Sequence, residues 1–359
     1  MAIKASGGNP PTNSLSFTEI EDEFGKNSER SLGSYRISDN GVANNGGDAA
    51  VFSNLPLDTG IPQSGPIKFS HFYGKRLNVF VDLYSKETTR INAHYRYINN
   101  KSKVKVIGGF KNSPNNTSGT RVFIHVNNDV ASKKGDFKNV ALRTGNGWQA
   151  GTILSVDVGS GGAIYGAGGD GGKGRVCNED GGSSGKSGTS ALGIEYNGTS
   201  VNLYSGGRIQ CGFGGGGGAG GGVGDPDKST DDSASSGGGG GGGAGLPAGN
   251  GGPEGTGAYG EGSDGDPGSN GTATAGGAGG AGGSGGGSVG ATGGTGGGPN
   301  NLEADAGGKG EGEGVRGCAG DGLPGGSNGS AIRKASGVNF SFNNNGGTIL
   351  GDIDQIGME

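Results

Sequence analysis

The chemistry open to a chain depends on which polar side chains its sequence brings within reach of one another. Two stretches and a few scattered side chains hold candidates here. Gly181-Gly-Ser-Ser-Gly185-Lys186-Ser187 ends like a phosphate-binding loop. That loop also needs glycine five positions before Gly185, a strand before it and a helix after it. The position is held by Asp180, whose charge would repel phosphate, so the stretch reads as a polar loop. Asp225, Asp227, Ser229, Asp231 and Asp232 place oxygens at alternate positions, as a calcium loop does. The glycine at position six and the closing glutamate at position twelve are missing, the latter replaced by Ser236, so the reading is a solvated acidic loop without metal. His71, His94 and His125 stand alone, with no HxxxH pair or Cys/His cluster for metal binding or base catalysis. Cys177, Cys211 and Cys318 are odd in number and far apart, which does not fit a disulfide framework. These residues form no catalytic constellation, and the expectation is a protein that acts without enzymatic chemistry or a cofactor.

Bulk composition narrows the classes further. The net charge of −5, from 28 basic and 33 acidic residues spread widely, argues against a nucleic-acid partner, which calls for a basic face. No apolar run is long enough to span a membrane as a helix. The opening MAIKASGGNPP lacks the apolar centre of a signal peptide, so synthesis in a cytoplasm is expected, with thiols serving as small packing residues.

The elements that must position any functional group divide at composition changes. Residues 1–75 read as a module of short helices and loops. Thr18 with Glu21 fits a capping box and Gly25 a helix stop, giving a short helix with Phe17, Ile20 and Phe24 on one face. A related pattern recurs around Phe69, Phe72 and Tyr73, and Ser31–Arg36 reads as another short capped turn. Residues 76–158 alternate apolar and polar with period two and predict a small antiparallel β-sandwich, with Trp148 plugging an edge.

Residues 159–335 hold most of the 93 glycines. Their glycines recur with period three in short runs, such as Gly166, Gly169 and Gly172, or Gly276, Gly279, Gly282 and Gly285. Three residues per turn is the repeat of the polyproline-II helix, whose backbone groups need outside partners. Frequent breaks in phase point to one chain folding back and forth into a bundle. A third repeat, Val156-x-Val158…Gly161-Gly162-x-Ile164, recurs from Val201 to Ile209 and from Val338 to Ile349. It predicts strand–turn–strand plates at one end of the bundle, with residues 336–359 as a strand pair closing it. The fold class expected is thus mainly β with non-regular structure, namely a sandwich, a glycine-rich polyproline-II bundle, and short capped helices at the N-terminal side.

Loops carried on a rigid scaffold are where recognition concentrates. The candidates are 225–236, 246–268, 299–306 and 315–324. Asp225, Asp227, Asp231 and Asp232 would provide an acidic rim, and Leu246, Tyr259, Leu302 and Leu323 apolar anchors.

Several of these segments carry a resemblance. LSFTEIEDEFGKNSERSLGSYR and SGPIKFSHFYGK resemble elements recurring in tail and baseplate proteins of T4-like tailed bacteriophages. SGTRVFIHVNND followed by IYGAGGDGGKG is similar to the sheet-to-glycine transition of their tail-fibre adhesins, and TSALGIEYNG and GGGGGGGAGLPAGNGG look like the same group. The resemblance implies a virion protein of the tail fibre or baseplate, made in the host cytoplasm. It implies that distal loops meet an outer-membrane receptor, protein or polysaccharide. It also implies that Phe17, Ile20, Phe24, Phe69, Phe72 and Tyr73 dock the chain to other tail or baseplate proteins, with monomer and homotrimer both open. A purely structural tail or baseplate component is the alternative, and an ice- or surface-binding protein a more distant one.

Overall fold

The computed structural model describes residues 3, 13–24, 31–35, 61–62, 65–76, 78–83, 91–99, 104–107, 121–175, 181–223, 234–256, 262–285, 288–305, 307–308, 311–312 and 321–358. The chain is mainly β. Helix α1 (Phe17–Phe24) forms as expected, but Ser16 and Glu19 cap it rather than Thr18 and Glu21. Ser16 Oγ accepts from Glu19 N at 3.2 Å, and Glu19 Oε2 accepts from Ser16 N at 2.8 Å. Gly25 lies outside the described residues. Leu32–Tyr35 and Phe69–Phe72 are single 3₁₀ turns, the first fastened by the hydrogen bond from Gly33 N to Ser31 Oγ.

The strands do not form an antiparallel sandwich. They are β1 (Asn78–Leu83), β2 (Ile91–Asn92), β3 (Val104–Ile107), β4 (Arg121–Val126), β5 (Asp129–Ala131), β6 (Val140–Arg143), β7 (Ile153–Val158), β8 (Ala163–Tyr165), β9 (Ser190–Ile194), β10 (Thr199–Tyr204) and β11 (Arg208–Gln210). Two-residue strands β12 (Gly222–Val223), β13 (Ala234–Ser235), β14 (Ser284–Gly285), β15 (Ser288–Val289) and β16 (Glu311–Gly312) follow, then β17 (Ile332–Lys334), β18 (Phe340–Asn345), β19 (Thr348–Leu350) and β20 (Gln355–Ile356).

Three parallel sheets share these strands in a repeating order. Strands β1, β4, β7, β10 and β18 line one face, β5, β8, β11 and β19 a second, and β2, β6, β9, β17 and β20 a third. From β4 onward each circuit of the chain adds one strand to each face, which makes a three-sided parallel β-solenoid. Only β3 runs antiparallel among these, against β1. The register stacks like on like: Ile124, Val156, Val201 and Phe342 on one face, and Val130, Ile164, Ile209 and Ile349 on the next. The corner between these faces is the Gly-Gly repeat seen in the sequence. Gly161, Gly206 and Gly346 all take φ between 81° and 93° there, a left-handed conformation that glycine adopts at no steric cost.

The solenoid therefore does not stop at residue 158, nor do residues 336–359 form a separate closure. Strands from 78–165, 190–210 and 332–356 are interleaved rungs of one body. Its core continues into the first module, because Ile20, Phe24, Tyr35 and Phe72 belong to the same buried cluster as Val81, Tyr97, Ile124 and Leu142. RINAHYRYI is also not one strand. Asn92 Oδ1 accepts from Tyr95 N at 2.9 Å and starts helix α2 (Ala93–Ile98). Trp148 is buried there, its Nε1 donating to Thr144 O at 3.0 Å.

One ladder on the solenoid carries a buried charge. Asp157 accepts from Ser155 Oγ and Asn202 Nδ2, both at 2.7 Å, and Asn202 Oδ1 accepts in turn from Asn343 Nδ2 at 2.9 Å. Burial raises the Asp157 carboxyl above its ordinary range, against the opposing pull of Asn202, Ser155 and His125. A carboxyl whose pKa rises on folding holds its proton better when folded, so its charge weighs against stability at neutral pH and the deficit closes as pH falls. Asp157→Asn should continue the amide ladder without the charge. Its thermal midpoint should exceed wild type at pH 7, with the gain shrinking in acid; an unchanged or lower midpoint at pH 7 would contradict this.

The glycine region leaves the solenoid at the corner between the second and third faces. Two extended runs, 166–175 and 183–189, separate β8 from β9. Eight more separate β11 from β17: 212–222, 236–244, 249–255, 262–271, 276–284, 290–298, 304–305 with 307–308, and 321–329. Neighbouring runs are joined by a backbone hydrogen bond at every third residue. Gly166, Gly169, Gly172 and Arg175 donate to Gln210, Phe213, Gly216 and Ala219 at 2.8–2.9 Å.

The composition of each run follows from the number of its neighbours. Run 212–222 bonds to six others, through pairs such as Gly172–Gly216, Gly215–Lys186, Gly216–Gly241, Gly294–Gly217, Gly217–Asp305 and Gly326–Gly215. Run 236–244 is also ringed by six. No side of these two is free, and their centres, 214–218 and 237–243, are glycine throughout. Outer runs have open sides and carry partly exposed side chains there at three-residue spacing, as Asp170 and Lys173 do.

Candidate functional site

The bundle has two unlike ends, fixed by direction. Residues 166, 189, 212 and 329 lie next to solenoid strands, and the runs alternate in direction from there. The near end therefore holds the turns 244–249, 272–275 and 298–303. The far end holds the described residues 175, 181–183, 222–223, 234–236, 255–256, 262, 284–285, 288, 308, 311–312 and 321.

The far-end shoulders converge. Strands β12 and β13 pair through Gly222–Ser235, and β14, β15 and β16 through Ser284–Val289 and Ser288–Gly312. Ser236 N donates to Ser263 O at 3.2 Å, Gly237 N to Arg175 O at 2.8 Å, and Arg175 Nη1 to Asp321 O at 3.5 Å. Val289 is 54 % exposed on this surface.

The candidate anchors are split between these ends. Asp225, Asp227, Asp231, Asp232 and Tyr259 lie outside the described residues, on segments whose two shoulders both sit at the far end. Leu323 is half-buried at the same end, its N donating to Gly218 O at 2.9 Å. Leu246 and Leu302 belong instead to near-end turns beside the solenoid. Leu246 N donates to Gly166 O at 2.9 Å, and Leu302 is 57 % exposed next to the Gly298–Asn301 turn. The sequence does not show this split, because the direction of each run depends on counting every reversal before it.

The docking candidates sort by burial. Ile20, Phe24 and Phe72 are fully buried around Tyr35, with Phe24 and Phe72 each 5.9 Å from its ring centre, so they hold the module together and offer no surface. Phe69 is 40 % exposed and stacks edge-on against the half-buried Phe17 at 6.1 Å. Tyr73 is half-buried and its hydroxyl donates to Asn13 O. Of the six, Phe17, Phe69 and Tyr73 thus keep exposed surface.

The chemical candidates take structural places. His71 Nδ1 accepts from Lys68 N at 3.1 Å and starts a 3₁₀ turn. His94 packs edge-on against Trp148 at 4.9 Å, and burial lowers its pKa against a hydrogen bond with Gly147, which favours a neutral ring. His125 is a buried strand residue in register with Asp157. Burial, with Asp352 nearby, pushes the Cys211 thiol up to about 12, so it stays protonated as a packing residue. Residues 181–187 form part of an extended run in which Gly185 N donates to Pro324 O at 3.0 Å and Lys186 N to Asp170 O at 2.8 Å. Among the described residues no group of three metal-ligating side chains gathers, and no helix is long and apolar enough to cross a membrane.

Comparison with known proteins adds one likeness. No protein-family model matches the chain, and no curated protein matches it. A solved structure similar to it is the gp37-gp38 adhesin tip complex of the bacteriophage S16 long tail fiber. The identity is 17 %, the TM-score 0.38, and the match covers 93 % of this chain and 98 % of that one. That similar structure is a tail-fibre adhesin tip.

Proposed function

We propose that this chain is a receptor-binding adhesin of a bacteriophage tail fibre, and that its ten glycine runs are polyproline-II helices packed as a rigid bundle. The three-residue spacing of hydrogen bonds between runs supports the helix assignment, since polyproline II makes no bonds within itself. The observation that carries the functional reading is the polarity of the bundle. One end is continuous with the solenoid, and the described residues flanking the polar segments 224–233 and 257–261 all lie at the other. A scaffold with that polarity presents loops outward and keeps its attachment behind.

In this reading the first module and solenoid join the chain to other tail proteins, using Phe17, Phe69 and Tyr73. The far-end segments touch a protein or polysaccharide of the host surface, and no reaction is catalysed. Several copies per virion turn weak contacts into firm attachment.

The test is direct adsorption. The full chain fused to a fluorescent protein should decorate cells of susceptible strains in a Gram-negative panel. It should compete with virions for them. Decoration of no strain, or of all strains alike, would leave only a structural role in the tail.

A further inference from the structure

Runs 166–175 and 183–189 lie side by side, and the N–H groups on one face of the first run point toward the second. Ala167 N donates to Thr189 Oγ1 at 2.7 Å, and Lys173 N to Ser183 Oγ at 2.8 Å. The position midway between them is Asp170. Its opposite number, three residues from both Thr189 and Ser183, is Lys186, which has no oxygen to offer. Asp170 N–H has no acceptor among the described residues, and neither has Ser187 N–H. A regular ladder of side-chain acceptors is thus interrupted where a cation replaces the hydroxyl.

The interruption opens onto a pocket of about 260 Å³ lined by Lys134, Gly135, Gly168, Gly169, Asp170, Lys186 and Ser187. Lys134 arrives from the solenoid corner after β5. Its Nζ lies 2.6 Å from Asp170 Oδ1, and Lys186 Nζ lies 3.5 Å from Oδ2. Asn250 N donates to Oδ1 at 2.9 Å. Burial would push the Asp170 carboxyl up, but Lys134, the Asn250 amide and Lys186 together outweigh it and hold it below the usual range. Asp170 is therefore ionised, and the three charged side chains sum to one positive charge. Lys186 is 75 % exposed and free to swing over the opening.

From this geometry we infer that the pocket is a binding site for one oxyanion group, a carboxylate or phosphate ester of an acidic saccharide or the free ion. One anion oxygen takes the acceptor place missing opposite Asp170 N–H, Ser187 offers its N–H and hydroxyl, and Lys186 and Lys134 neutralise the charge. Backbone donors beside ammonium groups form a concavity suited to anions. The site stands apart from the adhesin reading, since it is on the flank of the bundle near the solenoid and not among the far-end loops.

The test uses the full chain and calorimetric titration at low salt with inorganic phosphate, glucose 1-phosphate and glucuronate, with glucose as the neutral control. Saturable binding of the three anions, and none of glucose, is expected. Tighter binding of the sugar anions than of phosphate would point to a saccharide as the source, and equal binding to the free ion. Lys186→Thr supplies the missing hydroxyl and should complete the ladder. It should weaken binding at least tenfold while leaving the thermal midpoint equal to or above wild type, which separates loss of the site from loss of the fold. Lys186→Met, which removes the charge without filling the gap, should also weaken binding. No saturable binding of any anion by wild type, or undiminished binding by Lys186→Thr, would overturn the inference.

Discussion

Gly216→Ala is expected to prevent the bundle from forming, although it adds a single methyl group. The new carbon would stand 2.0 Å from Gly294 O, and the adjacent positions are no more open. Gly217 would meet Leu323 O at 1.7 Å and Gly218 would meet Lys173 O at 1.8 Å. Real carbons do not approach backbone oxygens that closely, so a run must move. Extra methylenes in ordinary cores cost roughly 1–3 kcal/mol because neighbouring side chains turn aside. Here the obstacles are backbones, each tied by its own hydrogen bonds to further runs, so the cost should reach or exceed the top of that range. Ser327→Ala, on an exposed position of an outer run, is the control and should melt like wild type. A Gly216→Ala protein with a wild-type thermal midpoint would refute the packing described above.

The second large effect concerns recognition. Replacing 224–233 and 257–261 with Gly-Ser linkers of equal length should reduce adsorption to susceptible cells at least tenfold, since multivalent attachment amplifies each lost contact. Leu302→Ser removes an equally conspicuous apolar side chain, 57 % exposed, from the near end and should leave adsorption unchanged. Both proteins should keep the wild-type melting curve, because neither change touches a run interior. Adsorption that survives the linkers, or fails with Leu302→Ser, would reverse the assignment of the two ends.

Part of this architecture is written locally and was readable. The period-three glycines, the strand–turn–strand repeat around Gly161 and Gly206, and the helix at Phe17–Phe24 each depend on residues close in sequence. Strand direction does not. A strand alternates apolar and polar with period two whether its partner runs parallel or antiparallel, and β10 finds β18 only after the glycine region has been traversed. The sandwich expectation failed for that reason. Ile20, Phe24 and Phe72 show a related limit. An aromatic residue on a helix face can serve a core or a partner, and only burial decides which. Of the candidate site, the loop segments were legible as polar interruptions. The interrupted ladder at Lys186 was not, because its meaning comes from Thr189 and Ser183 facing Ala167 and Lys173 across two runs.

The two central runs, ringed on every side and made of glycine, also bear on how this protein responds to temperature. Heat-capacity change on unfolding comes from surface newly hydrated, with apolar area raising it and polar area lowering it. Melting an ordinary core exposes hydrocarbon. Melting the centre of this bundle exposes peptide groups and almost nothing else. The solenoid should supply nearly all of the positive term and the bundle little, or a term of opposite sign. The free-energy curve of such a molecule is broad and shallow, and its scaffold does not depend on a hydrophobic force that fades in the cold.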